Sequence, residues 1–547
     1  MKLRILFIIF CFISKTAISQ EKVFTHQDTL RGSITKERVW WDLLHYELSV
    51  KIDTASKSIS GTNVVTYKVL NPYHVMQIDL QAPMQITALE QNDKPLDFKR
   101  EGNVFWINIR EPQMRDSIYN LKISFEGVPK VSMNPPWDDG FTWSKDSNGN
   151  PFIATSCQGG GASIWWPCKD HMYDEPDNGI TMHINVPENL VGVGNGRLIN
   201  VQPGTHNTKT FTWQTINPIN NYGVNVNVGN YVHFHDDFIG EKDSLDCDYY
   251  VLPYHLEKAK EQFKQAPMML KAFEYWFGPY PFYEDSYKLV EVPYLGMEHQ
   301  SSVTYGNGFV NGYLGRDLSF TGLGLKFDFI IIHESGHEWF ANNITYKDIA
   351  DMWIHEGFTA YSENLYLDYY FGKEAASEYV IGTRLNIRND QPIIGKYNVN
   401  KEGSGDMYCK GANMLHTLRQ LVDDDEKWRN ILRGLNSTFY HQTVDTKQIE
   451  DYLSQHVGMD LKPFFDQYLR TIKIPEFQYQ FLDDVLKYRW SNCNKDFAIP
   501  VKVILGNKTE WLYPTTSWKS LNVKANSLTV DRNFYVQTNN SIEKIEN

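Results

Sequence analysis

Apolar and polar residues alternate with period two along much of residues 40–250. Tyr46, Leu48, Val50 and Ile52 fall on one face of one such run, and Met182, Ile184 and Val186 on one face of another, with turn residues between the runs. That alternation marks half-buried strands, so the stretch is expected to form a β-rich, sandwich-like domain. The spacing changes near Pro253. From His255 to Gly278 apolar residues recur at helical intervals, and a mostly helical reading continues to about residue 472, with candidate helices at 328–343, 352–372 and 412–425 and a strand at 287–296. After Pro475 the alternation returns in Phe477, Tyr479 and Phe481 and in Ile499, Val501, Val503 and Leu505. The expected organisation is α+β and multidomain: a β-domain over 20–254, a mainly helical domain over 255–472 and a small β-domain over 473–547.

The 547-residue length agrees with several cores rather than one. Residues 1–19 place Lys2 and Arg4 before the apolar run Ile5–Ile13 and end in Ala17-Ile18-Ser19. This is a secretory signal pattern. The apolar run is far shorter than the roughly 20 residues a membrane span needs, so the chain is expected to be exported, periplasmic or secreted, with no transmembrane segment once the signal is removed. Cys11 follows the bulky Phe10, which argues against lipid anchoring there. Five cysteines remain, Cys157, Cys168, Cys247, Cys409 and Cys493, without CxxC spacing. Cys157 and Cys168 are close enough in sequence to pair, and buried free thiols are an equal reading. The net charge of −13 comes with no basic block, which speaks against nucleic acid as a partner. Oligomeric state is left open.

The chemistry concentrates between residues 298 and 408. His333 and His337, in His333-Glu334-Ser335-Gly336-His337, stand four apart, so on a helix both imidazoles project from one face and can bind one ion. Catalytic zinc usually takes three protein ligands and keeps a further position open. Glu356, in the next candidate helix, supplies the third. Glu334 neighbours a ligand yet can reach water beside the metal, which suits a general base rather than a ligand.

The stretch HESGHEWFANNITYKDIADMWIHEGFTAYSE resembles the HELAHQWFGN and WLNEGFA blocks of the aminopeptidase family that includes alanyl aminopeptidases and leukotriene hydrolase, with the spacing HExxH-x18-E preserved. Glu338, Ala341 and His355 depart from the family's glutamine, glycine and asparagine. Leu295-Gly296-Met297-Glu298-His299 is similar to the family's GAMEN segment, with His299 for asparagine. Tyr408-Cys409-Lys410-Gly411 is similar to its YxKG sequence, and Thr155-Ser156-Cys157-Gln158 to the place where the first domain touches the site. The arginine usual near that place is missing, with Ser163 about where it would stand.

The resemblance implies a thermolysin-like catalytic domain, one zinc ion, and peptides with a free N-terminus as partners. It gives Glu298 the substrate's amino group, Gly296 and Met297 the peptide backbone, Gln158 a place in the substrate pocket, and Tyr408 the scissile carbonyl. Glu363 could orient a zinc histidine or be an exposed helix carboxylate. Many family members continue into a large helical domain that closes over the site, so a more open cleft is expected here. The leading reading is an exported zinc aminopeptidase. A zinc endopeptidase, a family-type epoxide hydrolase and a non-catalytic peptide-binding protein are the alternatives.

Overall fold

A computed structural model describes residues 23–540; the expected signal segment, Cys11 included, lies outside the described residues. The first domain is built on an eight-stranded sheet. Its long strands Trp41–Asp53 and Ser58–Val69 pair antiparallel, and Ile180–Pro187 runs parallel to the first of them with Leu48 opposite Met182 and Val50 opposite Ile184. Every residue singled out by the alternation here, Tyr46 to Ile52 and Met182 to Val186, is buried on one face of this sheet. A four-stranded sheet (Val191–Val193, Asn227–Gly229, Pro151–Ser156, Gly140–Lys145) and a three-stranded one complete the layers over a shared core.

The strand pairing runs across the division expected at residue 254. Strands Val232–Ile239 and Ser244–Val251 form a hairpin, and the second of them lies parallel to Tyr287–Glu291. Parallel neighbours need a crossover, and the helices Leu256–Gln262 and Gln265–Phe277 provide it. Leu245, Cys247, Tyr249 and Val251 share a core with Ile330, Ile331 and Ile332. The hairpin is thus part of the catalytic domain's sheet, and a cut near residue 230 leaves that sheet whole. The single helical stretch expected from 255 to 278 is two helices. Pro267 has no amide hydrogen to donate and its ring crowds the carbonyl four residues back, at Phe263, where the first helix has already stopped.

The sheet order in this domain is Val232–Ile239, Ser244–Val251, Tyr287–Glu291, Val303–Tyr305, Gly296–Met297, which leaves the two-residue strand Gly296–Met297 at an edge. The expected strand 287–296 is therefore broken at Pro293, and its end turns back to pair with Val303–Tyr305. The last helix of the domain is Lys462–Arg470, and the strands that begin at Glu476 form two small sheets. These sheets are tied back to the helices: Tyr468 donates to the Tyr535 carbonyl at 2.7 Å, and the Tyr535 amide donates to Thr417 Oγ1 at 2.9 Å. All five described cysteines are free, so Cys157 and Cys168 are buried thiols. No described helix is long and apolar enough to cross a membrane.

Candidate metal centre

Three helices bring the reactive side chains together. The first, Phe329–Gly336, starts at Asp328, whose carboxylate accepts from the Ile330 and Ile331 amides at 3.1 and 3.3 Å. Asp328 satisfies amide donors that the first turn would leave orphaned. Tyr305, Asn307 and Gln262 also donate to it, at 2.7, 2.9 and 2.6 Å, which fixes where the helix begins. His333 and Glu334 lie in its last turn, and His337 caps it. The chain then leaves the helix through an irregular turn in which Ala341 takes φ +155° and ψ −48°, a conformation that favours glycine. The turn aims the Phe340 carbonyl at His337 Nδ1, 3.0 Å away.

The second helix, Trp353–Phe371, carries Glu356 in its first turn and Glu363 two turns later. The third, Cys409–Val422, begins just after Tyr408. A Cβ on Gly411 would come within 2.9 Å of Gly357 Cα. Only glycine allows these two backbones to approach so closely, and the approach brings Tyr408 beside Glu356. A similar constraint sets the edge strand: a Cβ on Gly296 would meet Ile330 at 2.6 Å and Glu334 at 3.2 Å.

His333, His337 and Glu356 are buried with ligand atoms close enough to share one ion. Glu356 Oε2 is 3.3 Å from His337 Nε2 and 3.7 Å from His333 Nε2, yet it is buried without a hydrogen-bond partner. Both histidines use Nδ1 elsewhere, His333 against Glu363 Oε1 at 2.7 Å and His337 against the Phe340 carbonyl. A proton on Nδ1 leaves each Nε2 lone pair turned toward Glu356. Two imidazoles, one carboxylate and an orphaned buried oxygen suit a zinc ion.

Gln158, Glu298 and Tyr222 extend the site. The Gln158 amide donates to Glu298 Oε1 at 2.6 Å and to Glu356 Oε1 at 2.9 Å, so one side chain from the first domain links the two carboxylates. Tyr222 donates to the same Glu298 oxygen at 3.1 Å. Burial pushes the Glu298 carboxyl above its ordinary range. Burial also raises Glu334, with Glu298 and Glu356 adding to the rise and the two histidines opposing it. Tyr408 stacks near His333, ring centroids 6.1 Å apart, and lines the same cavity as Glu298, Glu334 and the three candidate metal ligands. Gly296 and Met297 line it too. The structure therefore gathers every sequence-predicted site residue around one cavity of about 520 Å³.

The departures from the family pattern have local explanations. Burial raises the Glu338 carboxyl to about 8, and its Oε1 accepts from the Ser301 amide at 2.8 Å. His355 is kept neutral by burial, accepts from the Tyr346 amide at 2.9 Å and stacks on that ring. Where the arginine is missing, Ser163 donates to Asp170 at 2.5 Å, and the nearby cation is Arg31, 3.6 Å from Asp170. Glu363, undecided from sequence, is buried between His333 and Tyr379. Tyr222 was not singled out by sequence reasoning; it lies in a stretch without periodicity or motif.

Comparison with known proteins agrees with this geometry. Residues 261–468 match the Peptidase family M1 domain, and residues 43–222 match the Peptidase M1 N-terminal domain. Mouse aminopeptidase B (Mus musculus) is 21% identical over 492 residues, spanning 80% of this chain and 70% of its own length. Leucine aminopeptidase 2 of Vanderwaltozyma polyspora is 21% identical over 441 residues, spanning 78% of this chain and 61% of its own length. Among solved structures, a mutant M1 zinc metallopeptidase from Deinococcus radiodurans bound to Tyr-Ser-Ala superposes with a TM-score of 0.66 at 20% identity, covering 79% of this chain and 95% of that one.

Proposed function

Because the chain belongs to peptidase family M1 and is a zinc metallopeptidase of the aminopeptidase kind, we propose that it is exported and removes residues from the free N-terminus of peptides, using one zinc ion and Glu334 as general base. The observation that carries the N-terminal reading is the position of Glu298. Its carboxylate is buried, linked through Gln158 to the metal-binding Glu356, and faces the cavity that holds Glu334. A substrate ammonium fits there through a charge-assisted hydrogen bond. An internal peptide bond offers no such cation.

The edge strand Gly296–Met297 can accept the substrate backbone as an added strand, which sets the first carbonyl beside Glu334 and Tyr408. His333, His337 and Glu356 would hold the zinc ion, which supplies a Lewis acid toward the carbonyl and makes water easier to deprotonate. Glu334 takes a proton from the attacking water and later delivers it to the leaving amine. The Tyr408 hydroxyl donates to the oxygen that gains negative charge. Glu363 and the Phe340 carbonyl hold the two imidazoles in the tautomer that faces Glu356.

Replacing Glu334 tests the assignment. Glu334→Gln is expected to keep its zinc, measured by metal analysis, while losing about 10²–10⁴ in turnover. Loss of the metal on that change would make Glu334 a structural residue and overturn its role as base. Support for export rests on residues 1–19, and a recovered protein that still begins at Met1 would contradict it.

A further inference from the structure

Two side chains share one oxygen of Glu298. The Gln158 amide reaches Oε1 at 2.6 Å, and the Tyr222 hydroxyl reaches the same atom at 3.1 Å. A carboxylate oxygen accepts about two hydrogen bonds, so Oε1 is filled and Oε2 is the oxygen left for a ligand in the cavity that Glu298 lines. That division depends on where the Tyr222 proton points. A hydroxyl has a single proton, and Tyr222 Oη has a second neighbour, His355 Nδ1 at 3.4 Å. Were Nδ1 an acceptor, the proton could turn away from Glu298.

The fold settles the direction. The strand Ile344–Tyr346 is held against Gln442–Val444, and the Tyr346 amide donates to His355 Nε2 at 2.9 Å. A backbone N–H can only donate, so Nε2 carries no proton and the single ring proton of the neutral imidazole sits on Nδ1. Nδ1–H then faces the Tyr222 oxygen, and of the two neighbours only Glu298 Oε1 can take the Tyr222 proton. Tyr222, His355 and Glu298 are all buried, which keeps bulk water from offering an alternative. The backbone around Tyr222 is fixed as well. Asn220 accepts from the Gly223 amide at 2.6 Å and donates to Asn342 Oδ1 at 3.0 Å, while Asn342 donates to the Glu298 carbonyl at 3.0 Å. The turn that carries the hydroxyl and the segment that carries the carboxylate are thus tied to the same asparagine.

We propose that Tyr222 and His355 are positioning residues for recognition of the substrate's N-terminal amine: the Tyr346 amide fixes the His355 tautomer, His355 commits the Tyr222 hydroxyl to Glu298 Oε1, and Oε2 is thereby presented to the ammonium. Neither side chain lines the cavity that holds Glu334, so the pair acts through Glu298. The inference rests on the aminopeptidase reading, because only a free amine makes use of the oxygen left open.

The test measures, by calorimetry on the zinc-loaded enzyme, the affinity for two hydroxamates that differ only in the amine, leucine hydroxamate and isocaproyl hydroxamate. Both can anchor on the metal, so the ratio of their dissociation constants reads amine recognition without turnover. The parent enzyme is expected to favour leucine hydroxamate. Tyr222→Phe, and His355→Gln, which keeps an acceptor for the Tyr346 amide, should shrink that preference about tenfold or more, the scale of a lost hydrogen bond to a charged group. Isocaproyl hydroxamate should bind both variants as it binds the parent. His355→Asn, whose amide can still donate to Tyr222, should restore most of the preference. Should a substitution at 355, beside Glu356, cost the enzyme its zinc, Tyr222→Phe decides alone. An unchanged preference in Tyr222→Phe, an equal loss of affinity for both ligands, or loss of zinc from that variant would overturn the proposal. A parent enzyme that binds the two ligands equally would instead overturn the aminopeptidase reading on which it stands.

Discussion

Glu363 Oε1 lies 2.7 Å from His333 Nδ1, and the other Glu363 oxygen accepts from the Tyr379 hydroxyl at 2.5 Å. A buried carboxylate fixed at one end by tyrosine and at the other by an imidazole determines which His333 nitrogen carries the proton. Removing such a partner typically lowers metal affinity about 10–100-fold. Glu363→Ala is therefore expected to weaken zinc binding by about that factor, measured by competition with a chelator, and an unchanged affinity would show that packing alone orients the ring.

Gln158 links two carboxylates that come from different segments of the chain. Replacing its amide with Gln158→Leu leaves Glu298 and Glu356 without their shared donor. Hydrogen bonds to charged groups contribute about 1.5–3 kcal/mol each, so kcat/KM for free-amine peptides should fall about 10–100-fold. Steady-state kinetics at saturating zinc measure this, and parent-level kinetics would assign Gln158 to packing.

Tyr408 lines the cavity beside His333 and Glu334, and the proposed mechanism has its hydroxyl donate to the oxygen that becomes charged. Tyr408→Phe keeps the ring near His333 and removes only the donor. The expected effect is a loss of about 10²–10³ in kcat, with metal content and KM little changed. A matching rise in KM with kcat preserved would place the hydroxyl in ground-state binding instead.

The Gly411–Gly357 approach ties stability to chemistry. A valine at 411 must push apart the helices that carry Tyr408 and Glu356, since even a Cβ would meet backbone at 2.9 Å. Overpacking of this kind costs about 1–3 kcal/mol. Gly411→Val should unfold at lower denaturant concentration and lose activity at temperatures where it is still folded.

Some of this was readable in the sequence because the physics is local. The face formed by Leu48 and Val50, and the two histidines four residues apart, depend only on the period of a strand or helix, and the structure places them accordingly. Gln158 is 140 residues from Glu298 and 198 from Glu356, and no periodicity encodes a contact over that distance. The hairpin 232–251 alternates like the strands before it, so its membership in the catalytic sheet shows only in its partner, Tyr287–Glu291. Glu363 could not be assigned because the helix Trp353–Phe371 is buried around most of its circumference. Its pattern names no solvent face, and only the packing of His333 against it decides the matter. The break before Pro267, by contrast, did have a local signal in the proline itself.

The most direct measurement compares hydrolysis of an aminoacyl-anilide with a free amine against its N-acetylated counterpart, each with and without a chelator. The geometry of Glu298, Gln158 and the zinc-binding side chains predicts that only the free amine is cleaved at an appreciable rate and that chelation abolishes the reaction. Equal cleavage of the two substrates, or a rate indifferent to chelation in protein shown to be free of zinc, would contradict it.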